Sequence, residues 1–340
     1  MSGNINENTF VGLTYHELSQ EGFGLPSIRS MKFASEQDVN NSFDSMIETF
    51  RNYTPENTSM LLTQPEAYIG KFFPSFPPHF TAGLSVSGTF LDTSFLKDAV
   101  SSISDEISSA LSEPGNSVSI SSNFDAFGKL PVPTMAVNAR IGGIILPFDI
   151  GVSAISTFKT LNDKDISDYY KLNLEYTSIG ADLRYEILQE GKIFPSTSVG
   201  VGYIYTERKI GLNGNYKASY EIAGKEKTED IATKISTELK THSLYFSLQA
   251  SKKIALITPF AGLRLFFNAA EYGYDWNYKA GTIEGSSSKN ETIEMSFNSI
   301  KPQIFAGLGL NLALFQIGLD AAWNPSTNYW TAACQLNFKL

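Results

Sequence analysis

Cysteine is nearly absent, histidine is scarce, and no long apolar run occurs anywhere in the 340 residues. The single thiol, Cys334, excludes an internal disulfide framework and any multi-thiolate metal site. Three histidines, His16, His79 and His242, are too few and too scattered for a histidine-based metal centre. Basic residues are outnumbered, 26 Lys and Arg against 35 Asp and Glu, for a net charge of -9 and a pI near 5.0. The electrostatic footprint of a nucleic-acid binder is therefore missing. Without about 20 consecutive apolar residues there is no transmembrane helix. The opening "MSGNINENTF" lacks the basic and apolar regions of a secretion signal, so the chain is expected to be either cytoplasmic or a segment whose leader has been removed, which the rest of the sequence decides. No cofactor is implied by any of this. Charge is low, at 18%, while aromatics reach 13%, a balance that suits β-structure facing something other than water.

What the chain does have is period-two alternation, repeated ten times from residue 79 onward. In "HFTAGLSVSGTF" the residues Phe80, Ala82, Leu84, Val86 and Phe90 are apolar, and Thr81, Ser85, Ser87 and Thr89 between them are polar. Corresponding apolar sets begin at Met135, Phe148, Ile179, Val199, Leu244, Ala261, Ile304 and Phe315, and the last includes Trp330, Cys334, Leu336, Phe338 and Leu340. Segments of this length, apolar on one face, are what a tilted strand needs to cross a bilayer.

The connections between them sort by length. With the C-terminus in the periplasm, the links at 143–147, 188–195, 251–257 and 314–315 are short and periplasmic. Those at 91–133, 159–177, 207–241 and 270–302 are long and external, as in outer-membrane barrels. This topology places Phe90, Phe158, Tyr203, Tyr205, Phe267, Trp323 and Trp330 outward at the external end. It places Phe80, Phe148, Tyr185, Phe315 and Phe338 outward at the periplasmic end. Two aromatic girdles thus emerge from loop lengths alone. The fold class expected is all-β, an antiparallel transmembrane barrel of about ten strands. Twelve or fourteen would follow if the long loops hold more.

Residues 1–78 differ in kind and divide from a barrel spanning 79–340. Ser35 followed by Asp38 resembles a capping box, and Val39, Phe43, Met46, Ile47 and Phe50 then fall at helical spacing. Pro74, Pro77 and Pro78 preclude a regular ladder and imply an extended run into the first strand. This partly helical segment is expected on or inside the periplasmic end, as a hatch, plug or arm. A second helix is expected in the loop 91–133, where Leu96, Val100, Ile103, Ile107 and Leu111 form one apolar stripe.

Candidate chemistry is sparse. His242 lies on the outward face at the external end, where a lipid hydrolase could keep its base, but no outward serine neighbours it. It reads as an interface residue, and the chain as no enzyme. Arg140, Asp149, Asp182, Arg184, Glu186, Arg264, Asp320 and Lys339 all carry lumen parity. Mixed signs favour a structural network filling a narrow barrel over a selective constriction. Tyr272, Tyr274, Trp276 and Tyr278 share one face of an extended external segment, either a strand extension with stacked aromatics or a binding platform.

The alternating segments, sorted loops, girdles and terminal "YWTAACQLNFKL" together resemble a bacterial outer-membrane β-barrel. That resemblance implies residence among outer-membrane lipid and assembly through recognition of the C-terminal strand by the barrel assembly machinery. The N-terminal segment and the apolar external helix are similar in arrangement to the FadL-type long-chain fatty acid transporters. Passive uptake of a hydrophobic small molecule is what this implies, captured by Leu96, Val100, Ile103, Ile107 and Leu111 and gated by the N-terminal segment. Two other readings stand beside it: a non-transporting surface barrel, adhesive or structural, working through its loops, and a narrow polar pore.

Overall fold

The computed structural model describes residues 63–70, 79–92, 129–143, 147–157, 164–167, 170–222, 225–280, 283–293, 300–326 and 329–340. Twelve strands run in chain order: β1 (His79–Asp92), β2 (Lys129–Gly142), β3 (Phe148–Thr157), β4 (Lys164–Ser167), β5 (Tyr170–Leu188) and β6 (Ser196–Ile222). Then follow β7 (Lys225–Ser251), β8 (Ile257–Ala280), β9 (Ile283–Ile293), β10 (Lys301–Leu312), β11 (Phe315–Asn324) and β12 (Tyr329–Lys339).

Each barrel strand pairs with its neighbour in antiparallel fashion, and the sheet closes because β12 returns to β1, with Leu84 opposite Leu336 and Val86 opposite Cys334. Strand β10 pairs with β8 across the ring, while β9 pairs only with the distal part of β8 and β4 only with β5. Ten strands therefore form the closed barrel, each of the ten anticipated from alternation, and the two additional strands stand outside it. Closure is what the bilayer demands, since an open edge would leave unpaired amides in hydrocarbon.

Polarity is that of a membrane barrel. The outer face carries exposed Leu84, Val137, Ile150, Val152, Ile179, Phe246, Leu319 and Leu336. An apolar surface this extensive is not left to water. Girdle residues meet across strand pairs. At the external end Trp323 stacks on Trp330 at 5.9 Å and Phe246 meets Phe267 edge-on at 5.8 Å. At the periplasmic end Phe148 meets Tyr185 at 5.0 Å and Phe315 meets Phe338 at 5.7 Å.

Three of the expected external loops prove to be largely strand. The β6–β7 ladder is unbroken from Ser196 opposite Ser251 to Ile222 opposite Lys225, so most of 207–241 is a hairpin projecting beyond the girdle. Likewise β5 begins at Tyr170 and β8 runs on to Ala280 to meet β9. The physical reason is a change of solvent. Once a strand leaves the bilayer its outward face no longer needs apolar residues, and the pattern that marks a spanning segment disappears while the ladder continues. The expected loop helix with Leu96, Val100, Ile103, Ile107 and Leu111 lies outside the described residues, as do residues 1–62.

Candidate functional site: a strapped lumen beneath an apolar external wall

An eight-residue strap, Thr63–Gly70, crosses the lumen near the periplasmic end, and most of it is buried. Inward side chains of the barrel satisfy its backbone. Gln335 Nε2 donates to Thr63 O at 2.8 Å, Gln249 Nε2 to Gln64 O at 2.6 Å and Ser198 Oγ to Ala67 O at 2.6 Å. Arg184 donates to Glu66 O at 2.9 Å. In the other direction, Ala67 N–H donates to Ser251 Oγ at 2.8 Å and Ile69 N–H to Asp149 Oδ2 at 3.1 Å. The Gln64 amide reaches Thr81 and Asn138, and the Glu66 carboxylate pairs with Lys339 at 2.7 Å and Lys253 at 3.5 Å. These partners come from all round the ring, as buried backbone polar groups require.

The lumen residues singled out from sequence parity surround this strap. Asp182, Arg140, Asp149 and Arg184 form one continuous chain of ion pairs at 2.5 to 2.7 Å, all buried. Asp149 is its hub, holding both arginines and the Ile69 amide. Glu186 accepts from Ser196 at 3.1 Å. Arg264 reaches Thr63 Oγ1 and Gln303 and lies over the Phe305 ring, 4.1 Å from its centroid. Asp320 accepts from Gln335 at 3.1 Å.

Inward glycines make room in so narrow a barrel. A Cβ on Gly309 would sit 2.6 Å from Pro65 of the strap, and one on Gly262 would meet Phe305 at 2.2 Å. Phe260 and Phe305 pack with Ala322 and Ala333, and Ile204 with Tyr245 and Phe266, as buried clusters on the inner face of neighbouring strands.

Above the external girdle the inner face changes character. Leu172, Leu174 and Tyr176 of β5, Ile210 and Leu212 of β6, Ile235 and Leu239 of β7, and Tyr272, Tyr274 and Trp276 of β8 all face inward and are buried. The outer face of the same wall is charged, with Lys209 bridging Glu207 at 2.9 Å and Glu238 at 3.5 Å, and Lys240 reaching Glu238. Of the aromatic stripe noted in the sequence, Tyr272, Tyr274 and Trp276 thus lie in a strand extension and point inward. Of this lining only the aromatic stripe of β8 was legible as a candidate platform, and the strap only as part of the N-terminal segment expected at the periplasmic end. The strap carries no periodicity, and the lining shows only as an alternation whose apolar set faces away from solvent.

The charged outer face yields a pH expectation. The hydrogen bond from Lys209 holds the Glu207 carboxyl below its usual range, and Glu207 in turn raises the Lys209 ammonium. Stabilisation from Glu207 is complete above the ordinary carboxylate value of about 4.3 and fades as pH falls through its lowered value. That from Lys209 is complete below about 10.4 and fades as pH rises through its raised value. Lys209→Met should cost under about 1 kcal/mol at pH 7, since the pair is solvent-exposed. In urea unfolding that difference should vanish in strong acid.

His242 is half-exposed on the outer face, its Nδ1 2.5 Å from the Tyr203 hydroxyl and its ring 5.1 Å from that of Tyr205. Apolar outside, girdled at both ends and polar within its spanning half, the molecule is a transmembrane β-barrel of the outer-membrane type.

Residues 174–340 match the profile of a family of unknown function, DUF6588. No curated protein matches the sequence significantly. Similar solved structures include the outer membrane protease OmpT from Escherichia coli, at 9% identity over 78% of this chain and 97% of that one, with a TM-score of 0.43. The translocator domain of the autotransporter NalP from Neisseria meningitidis aligns at 7% identity over 90% and 99%, with a TM-score of 0.38. A FadL homologue of Pseudomonas aeruginosa aligns at 8% identity over 80% and 95%, with a TM-score of 0.26. The barrel assignment rests on the strand ladders themselves.

Proposed function

We propose that the protein takes up hydrophobic small molecules, such as long-chain fatty acids, passively across the bacterial outer membrane. In this reading the external wall receives the ligand, the apolar stripe Leu96, Val100, Ile103, Ile107 and Leu111 assists its capture, and the N-terminal segment 1–78 gates passage through its strap. The observation that carries it is the inward apolar and aromatic face of β5–β8. A wall projecting into water needs no such lining to insert in a membrane, and a surface of this kind suits a partly apolar ligand. The lumen polar network Arg140, Asp149, Asp182, Arg184, Glu186, Arg264 and Asp320 serves here to hold the closed strap rather than to select ions. This reading invokes no catalytic step, and His242 is engaged by Tyr203 and Tyr205.

Trp276 offers a direct test, since the sequence contains only three tryptophans and the other two are in the girdle. In a Trp323→Phe, Trp330→Phe background, a brominated long-chain fatty acid should quench Trp276 fluorescence saturably. Quenching that only tracks partition of the fatty acid into the bilayer would remove the reading.

A second reading, a non-transporting surface barrel acting through its external sheet, is favoured by the burial of the inward rings of Phe260, Phe305, Tyr245 and Phe266 in clusters along neighbouring strands. It expects no uptake at all, with any ligand held at the external end.

A further inference from the structure

The periplasmic turns are apolar beyond what the girdle requires. Past Tyr185, Phe315 and Phe338, the turn residues Ile193, Phe194, Ile254, Leu256 and Leu314 and the terminal Leu340 remain exposed, from 51% for Leu314 to 85% for Ile193. Side chains of this kind at hairpin tips are anomalous in water.

The dimensions of the barrel explain them. The lipid-facing set of β11 runs from Phe315 to Trp323, eight steps along the strand. At about 3.3 Å per step and a tilt of about 40°, it covers only about 20 Å of membrane normal, against an apolar band of about 25 Å for such barrels. The missing ~5 Å is about what one turn adds below each strand pair.

The backbone of these turns supplies an independent reason. In water a turn leaves its outer carbonyls to solvent, whereas in hydrocarbon every one must be satisfied within the protein. Here several of them are satisfied sideways. Leu256 O accepts from Asn311 N–H at 2.7 Å and Leu314 O from Lys339 N–H at 2.8 Å. The carbonyls of Gly191 and Phe194 both accept from the Lys252 ammonium. Ile254 and Ile257 exchange both amide bonds around a two-residue turn, at 2.8 and 2.9 Å, with Ala255 at a φ of 53°.

From the continuity of this rim with the lipid-facing belt, we infer that the periplasmic turns from β5–β6 to the C-terminus are a lipid-binding surface sunk in the inner leaflet. Its partner is the acyl region of phospholipid. The hydrocarbon boundary lies beyond the aromatic ring, at the level of Lys192, whose ammonium group meets the phosphates.

The test places an environment-sensitive fluorophore on a cysteine at Leu256, in the full chain carrying Cys334→Ser, reconstituted in dioleoyl-phosphatidylcholine vesicles. Leu319→Cys gives the mid-belt reference and Lys234→Cys, on the exposed external wall, the aqueous one. Quenching by a nitroxide near the top of the acyl chain should exceed that at the mid-belt Leu319 reference, with iodide quenching several-fold below that at Lys234. In didecanoyl-phosphatidylcholine the Leu256 probe should shift toward the aqueous values while the Leu319 probe does not. Iodide access equal to that at Lys234, with no nitroxide effect, overturns the inference and leaves the rim as a surface for a periplasmic protein. Ile193→Cys provides the same measurement on a separate turn should the Leu256 variant fail to fold.

Discussion

Asp149→Ala should lower the unfolding free energy of the barrel by about 3–5 kcal/mol, the usual consequence of stripping the partner from a buried charge. Asp149 is the hub of the lumen, accepting from Arg140, Arg184 and the strap amide of Ile69. Its removal leaves Arg140 with Asp182 alone and deprives Arg184 of its carboxylate, inside a space too narrow for bulk water to replace it. The cost is one of broken pairing rather than of lost attraction. Arg184→Met in the same background should therefore recover part of it, making the double variant cheaper than the sum of the singles. Urea unfolding in vesicles measures all three. A loss below about 1 kcal/mol for Asp149→Ala would mean that the network contributes little to closing the lumen.

The second large effect is on passage. Ala67 N–H and Ser251 Oγ lie 2.8 Å apart, which brings strap and wall within reach of a cross-link. In a Cys334→Ser chain carrying Ala67→Cys and Ser251→Cys, oxidation fixes the strap against β7. If the strap is the gate, uptake falls to background when the pair is oxidised and returns on reduction. Displacing the strap is not free: its hydrogen bonds contribute about 1 kcal/mol each, more where Arg184 and Asp149 are involved. Ligand-linked opening is thus expected to be rare and local rather than a wholesale unfolding of the segment. Uptake that is indifferent to oxidation would dissociate the strap from transport while leaving external capture intact.

Much of the barrel was legible because lipid imposes one rule on every spanning strand. Phe315, Ile317, Leu319, Ala321 and Trp323 cannot be read any other way once nine other segments repeat the pattern. Asp149 and Arg140 share lumen parity on either side of a short turn, and they pair. Legibility failed where that rule stops. Along β7 the parity never changes, yet its meaning inverts near His242: Leu244, Phe246 and Leu248 are apolar and face lipid, whereas Ile235 and Leu239 are apolar and face inward. Outward apolar sets therefore do not mark 207–241 as strand. The contacts of the strap were invisible for a different reason. Gln64 is held by Gln249 and Thr63 by Gln335, partners far along the chain that no local pattern announces. Its sequence "TQPEAYIG" has neither period, and only the closed ring gives it a place.

Uptake itself is the most direct measurement. In a bacterial strain lacking its own outer-membrane fatty acid transporter, expression of the protein should raise accumulation of radiolabelled oleate well above that of the empty strain. The increase should be lost when residues 93–112, with their apolar stripe, are deleted from a chain that still reaches the outer membrane. Accumulation equal to that of the empty strain, from protein verified as folded in the membrane, would contradict the transport function and leave the surface-barrel reading in its place.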